Sequence, residues 1–284
     1  MNEFLDAVGS YAFMRNALLT GLLASVACGV MGSFVVVKRI SYIAGGIAHC
    51  VLGGIGAALY LERVHGLTAL DPLHGALVAA LAAAFVIGLV SLRAKQRVDT
   101  VIGSVWAIGM AAGVLFLSRT PGYGEDLMSY LFGNILMVTG SDLWLLLALD
   151  AVVLAAAVLF FKQFQSICFD EEFSKVRGLK VDAWFVSLLV LTALTVVLLV
   201  TVVGIVMVIA LLTIPAAVAG HFTNRLSHMM VAATCISVVF TSAGLAASYG
   251  PDLPAGATII ALAGATYLLV AAGAALLRKR TSRG

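Results

Sequence analysis

The sequence predicts an all-α membrane protein, a polytopic bundle of eight to nine transmembrane helices. Three observations lead there. Hydrophobic residues make up 62% of the 284 and charged residues 11%, with mean hydropathy +1.10. A soluble domain carries about 25% charged residues, so this chain lacks the side chains to cover a water-facing surface. Its apolar residues fall in runs of about 20, the length that crosses roughly 30 Å of hydrocarbon. The runs show no two-residue alternation, which argues against a β-barrel. Backbone groups in lipid must be satisfied internally, so the runs are expected as helices.

The candidate spans are 14–37, 42–61, 75–93, 100–117, 143–161, 183–201, 203–220, 228–248 and 255–277. No long polar stretch interrupts them, so residues 1–284 read as one transmembrane domain. Val203–Gly204 leaves almost no loop, and one bent helix there would make eight spans in place of nine. With nine, one side receives Lys38, Arg39, Arg93, Lys95, Arg97, Lys162, Lys175, Arg177, Lys180, Arg225, Arg278, Lys279, Arg280 and Arg283. The other side receives Arg15, Arg63 and Arg119. Positive charge stays in the cytoplasm, so the C-terminus is expected inside and the N-terminus outside. The net charge of +3 is dispersed between apolar runs, which suits this topological role and not nucleic-acid binding. Cys28, Cys50, Cys168 and Cys235 are scattered without metal-finger spacing, and no disulfide is expected. Glu3 and Asp6 precede the first run, unlike the basic start of a cleavable signal.

Two connections carry pattern. Residues 124–138 are amphipathic and too short to span, as expected of a half-helix or re-entrant element at the outer face. Residues 166–181 form the longest inside connection and have helical character. There Asp170, Glu171 and Glu172 come first and Lys175 and Arg177 follow, an order that complements a helix dipole. The segment reads either as a docking helix for a partner or as a solvated linker.

Five segments resemble the integral-membrane permease of zinc- and manganese-type ABC importers, over almost the whole chain. They are GSFVVVKRISYIAGGIAHCVLGGIG (32–56), RVDTVIGSVWAIGMAAGV (97–114), EDLMSYLFGNIL (125–136), FDEEFSKVRGLKV (169–181) and GIVMVIALLTIPAAVA (204–219). The third is especially similar to zinc-type members. The resemblance implies a type II importer architecture, with a homodimer of permeases around the path and two ABC ATPase subunits below. It also implies an extracytoplasmic metal-binding protein, a bacterial plasma-membrane location, and a coupling helix at about 169–180 formed by Asp170, Glu171, Glu172, Lys175, Arg177 and Gly178. The chain has no GxxxxGK[ST] phosphate loop, so ATP hydrolysis is expected from a separate subunit. No tightly bound cofactor is expected, and the divalent metal is cargo.

A cation crossing lipid needs coordinating groups on its path, and intramembrane ionisable residues are the first suspects. His49 leads them. A neutral imidazole suits zinc and also takes manganese or iron; the bland alternative is a histidine hydrogen-bonded to a neighbouring helix. The family usually carries an aspartate four residues earlier on the same face, where this chain has Gly45. Cys50 lies about 100° away around the helix and is not counted as a ligand. Asp150 reads as a path residue or as a packing residue bonded to a neighbouring helix. Asp99 begins a span, where the dipole stabilises an acid, as a structural residue or part of an inner gate. Pro215 removes a helix hydrogen bond, and with Thr213 and Gly204 it marks a possible moving bend. His65, His74, Glu62 and Asp71 on the outer connection, and His221 and His228 inside, are weaker metal candidates. Zinc is the expected cargo. The alternatives are a manganese or iron importer of the same family, or an ion-gradient secondary transporter, whose inverted repeats the sequence does not display. A membrane-embedded zinc protease is disfavoured by the absence of HExxH.

Overall fold

The structure, a computed structural model, describes residues 2–67, 70–93, 98–121, 131–133 and 135–281. Among these, helices follow one another as α1 (Asn2–Ser10), α2 (Ala12–Val37), α3 (Ser41–His65), α4 (Pro72–Arg93), α5 (Val98–Arg119), a 3₁₀ turn (Ile135–Met137), α6 (Gly140–Leu159), α7 (Phe161–Phe169), α8 (Glu171–Val176), α9 (Val181–Val203), α10 (Ile205–Gly220), α11 (Leu226–Tyr249) and α12 (Ala255–Thr281). Eight of them, α2 to α6, α9, α11 and α12, are long and apolar enough to cross a membrane. The ninth apolar helix, α10, has 16 residues, about 24 Å of rise. Gly204 separates it from α9, at φ 84 and ψ 159, a conformation that L side chains avoid. The chain therefore breaks there and does not run on as one bent helix.

Each expected span coincides with a helix, and three segments differ from the sequence reading. Glu62 to His65, read as loop, are the last turn of α3, which stops at Gly66 in the left-handed region (φ 70). α1 was not anticipated; its apolar face, with Phe4 and Ala7 buried, rests on the bundle, and Phe4 meets the ring of Tyr249 edge-on at 6.1 Å. The coupling segment is not one helix over 169–180. Asp170 is extended (φ −150, ψ 102) and splits it into α7 and α8. Its carboxylate accepts from the Phe173 N–H at 2.9 Å, capping α8. At the far end Gly178, at φ 80, donates to Lys175 O and Leu179 donates to Ser174 O, a paired terminator that leaves residues 177–180 outside the helix.

The packing divides the bundle into two groups. α3 lies against α4 and α5, and α2 lies against α6, α10 and α11, with α12 covering α10 and α11. α9 bridges the groups by touching α3, α4, α6 and α10. The spans of α2 and α3 are largely buried, whereas α5 and α12 face mostly outward. Between α3 and α4 the approach is backbone to backbone: a Cβ on Gly54 would overlap Gly75 O, and one on Gly75 would overlap Gly54 O. Small residues permit that closeness where lipid supplies no hydrophobic drive between helices.

The two ends of the bundle are distinct. Lys38, just past α2, contacts Ile167 and Glu171, so α7 and α8 sit at the end that bears the basic turns. At the opposite end Asn16 donates to Val138 O at 3.1 Å. The expected half-helix over 124–138 lies largely outside the described residues, but Leu131 and Phe132 are helical and the 3₁₀ turn follows. Gly133 (φ 68) rests on the backbone of Val203 and Gly204, and a Cβ on Gly256 would lie 2.5 Å from Phe132 O. Residues 132 and 133 thus cover the α9–α10 turn and the start of α12.

Candidate translocation seam and coupling surface

His49 projects from α3, about 12 Å along the helix from its start, and is 9% exposed. Its ring stacks on Trp106 of α5, with centroids 4.2 Å apart and planes 11° from parallel. Nδ1 is buried without a hydrogen-bond partner among the described residues, so the interhelical hydrogen bond of the bland reading is missing at that atom. Trp106 is fixed in turn. Its indole N–H donates to Met110 Sδ at 3.2 Å, and the Tyr42 ring lies beside it, tilted by 49° with centroids 6.0 Å apart. A Cβ on Gly45 would lie 4.0 Å from Trp106 Cζ3, so the indole edge just reaches the helix face one turn before His49. Cys50 turns away and donates to Val105 O at 3.2 Å, as expected of a residue off the His49 face.

Asp150 belongs to the buried stripe of α6, with Leu146, Leu149, Val153 and Ala157. It is 5% exposed, and neither carboxylate oxygen has a hydrogen-bond partner among the described residues. On the neighbouring helix α2, the backbone of Ala27 lies within reach of the carboxylate, short of good hydrogen-bond geometry, and Cys28 lies within electrostatic reach. In α10, Pro215 is buried and leaves Leu211 O without its helical N–H, while Thr213 Oγ1 donates to Ile209 O at 2.7 Å, a different carbonyl. Asp99 sits exposed in the first turn of α5.

At the basic end, α8 is held from two sides. Ser174, fully buried, donates to Asp170 O and shares a hydrogen bond with Ser166 of α7, each at 2.6 Å. Lys38 pairs with Glu171, donates to Ile167 O at 2.7 Å and lies 5.8 Å from the Phe185 ring centroid. The outward side is apolar and bare: Phe169, Phe173 and Val176 are 64%, 54% and 87% exposed. Arg177 lies over the Phe173 ring, and Glu172, Lys175 and Gly178 are exposed around it. Exposed aromatic and aliphatic side chains rimmed by charge mark an interaction surface.

A protein-family model described as the ABC 3 transport family matches residues 10–274. The chain belongs to the ABC 3 transport family. This ABC 3 chain is 38% identical over 265 residues to a probable metal transport system membrane protein of Chlamydia trachomatis, across 93% of the chain and 88% of that relative. It is 32% identical over 260 residues to the manganese transport system membrane protein MntC of Listeria monocytogenes, across 92% and 90%. Among solved structures, PsaBC from Streptococcus pneumoniae in complex with Fab superimposes at a TM-score of 0.83 with 30% identity, covering 95% of this chain and 94% of that one. The ABC 3 chain is thus a multi-pass membrane subunit of a transporter.

Within the ABC 3 chain the sequence-derived residues form separate places, not one site. Asp170, Glu171, Glu172, Lys175, Arg177 and Gly178 gather on α8 and its cap. His49 and Asp150 lie on α3 and α6, helices of different packing groups. His65 packs edge-on to Tyr60 at 5.6 Å, and His221 Nδ1 lies 2.9 Å from Ala217 O. Among the described residues, no three His, Cys, Asp or Glu side chains converge as a metal cage. Trp106, Lys38 and the exposed Phe173 were not singled out from the sequence.

Proposed function

We propose that this chain is the permease of an ABC importer that moves a divalent transition metal into the cytoplasm of a bacterium. The observation that carries the reading is the bare apolar face of α8, a short helix pinned at the basic end of an ABC 3 transport protein. Two copies of the chain would pair around the path, two ABC ATPase subunits would seat the α8 helices, and an extracytoplasmic binding protein would deliver the ion. Positive charge at the α8 end supports placing that end, and the C-terminus, in the cytoplasm. The chain itself is a transport subunit acting as a single domain. ATP binding would draw the ATPase pair together and shift the bundle between outward- and inward-open states.

Two readings of the cargo each rest on an observation. Manganese is supported by the name of the Listeria relative. Zinc is supported by the wall around His49, where an imidazole and aromatic faces stand without a neighbouring carboxylate on α3; nitrogen donors suit zinc and oxygen donors suit manganese. The test is metal-stimulated ATPase activity of the reconstituted complex with zinc and with manganese. Phe173→Asp should abolish ATPase association while leaving the permease folded. Glu172→Ala and Arg177→Ala should weaken coupling, and His49→Ala should remove the metal response. Intact coupling in all three α8 variants would refute the assignment of that surface.

A further inference from the structure

We propose that Trp106 is the positioning residue of the translocation seam, fixing the His49 ring and thereby setting the metal preference of the path. The inference rests on the reading of His49 as a contact for the transported ion. It is carried by the geometry on the α3–α5 seam. A histidine on a helix has freedom about two side-chain torsions, and a cation meets it only along the plane of the ring, at a nitrogen lone pair. Here one whole ring face is covered at 4.2 Å by an indole that is nearly parallel to it. The ring is thereby confined to one plane, and its nitrogens can meet an ion only edge-on.

The indole is braced so that it can impose this plane. Its N–H is engaged by Met110 Sδ one turn further along α5, and the Tyr42 ring stands beside it. Its Cζ3 edge would just touch a Cβ placed on Gly45, at 4.0 Å. Residues 45 and 49 share a helix face, and with glycine at 45 that face carries no second side-chain donor one turn before His49. From this chain the seam then offers the ion one oriented imidazole and apolar walls. Such a donor set favours a nitrogen-seeking ion over an oxygen-seeking one. Trp106 therefore aims the one nitrogen that this face of α3 presents.

The stack is worth a factor of roughly threefold to tenfold in ring occupancy, from the usual strength of aromatic pairs. The test uses the complex of permease and ATPase in liposomes, reading the half-saturating concentrations of zinc and of manganese for stimulated ATPase. Trp106→Leu should raise the zinc value about threefold to tenfold, leave the manganese value less changed, and so lower the zinc-to-manganese selectivity. Trp106→Phe, which keeps a ring face, should hold both values near those of the parent. Basal ATPase and complex assembly report that each variant is folded. If Trp106→Leu does not assemble, Trp106→Met replaces it, filling the volume without a ring face, with the same expectation.

An unchanged selectivity in the ringless variant, with His49→Ala still removing the metal response, overturns the role of Trp106 and leaves the His49 path standing. A His49→Ala complex that responds to metal as the parent does overturns both.

Discussion

Lys38 and Glu171 are 133 residues apart in sequence and form the ion pair that ties the end of α2 to the start of α8. The two partners differ in burial: the lysine side chain is 10% exposed and the glutamate 44%. That difference predicts an asymmetric response to mutation. Glu171→Gln leaves a nearly buried ammonium held by Ile167 O and the Phe185 ring alone. Removing one partner of a fully buried pair costs about 3–5 kcal/mol and of an exposed pair about 0.2–1 kcal/mol. With one partner in each condition, about 2 kcal/mol is expected. Lys38→Met instead frees a carboxylate that water can solvate, and the methionine stem still packs on Phe185. The charge-assisted bond to Ile167 O is lost, but the desolvation of the ammonium is relieved, so about 1 kcal/mol is expected. The double variant should match Lys38→Met, since the freed carboxylate is already solvated in that background, which gives a coupling of about 2 kcal/mol. Unfolding in mixed micelles, followed by circular dichroism, reads all four proteins. A Lys38→Met variant less stable than Glu171→Gln, or strict additivity of the two, would refute this account of the contact.

Two further outcomes follow from other buried groups. Asp150→Asn, which keeps the shape and removes the charge from a buried carboxylate with only the Ala27 backbone in reach, should unfold no more easily than the parent and should gain up to about 1 kcal/mol; a clear loss of melting temperature would show that the charge is held in the native fold. Cys168, in α7 outside the membrane spans, has its thiol pushed up to about 12, first by burial, with the Glu171 carboxylate adding to the rise and Lys38 opposing it. The thiolate is the reactive form and appears only as pH approaches that value, so alkylation of Cys168 by iodoacetamide should stay slow from pH 7 to 9, and rapid labelling in the folded protein at pH 7.5 would contradict it.

The spans were legible in the sequence because apolar length alone decides what crosses hydrocarbon. Gly204 was legible as a doubtful boundary, since glycine permits either continuation or a break; its φ of 84 decides for the break. The order of acids and bases over 170–177 gave the polarity of α8, but not the split at Asp170, because an acid fits both a first turn and the cap that precedes it. Contacts between helices left no local signal. Nothing in the period of α5 tells Trp106 apart from a lipid-facing aromatic, and only the docking of α3 turns its face to His49. Lys38 read as one more topological charge, although it reaches back across 133 residues to Glu171. For Asp150 the sequence leaves path and packing roles open, and the packing of α6 against α2 brings the Ala27 backbone near its carboxylate without a bond of good geometry.

Where Gly133 meets Gly204, main chain lies directly on main chain. No rotamer can yield at such a junction, so a side chain of any size placed at either glycine would lever residues 131–133 off the reversal after α9 and off the first turn of α12.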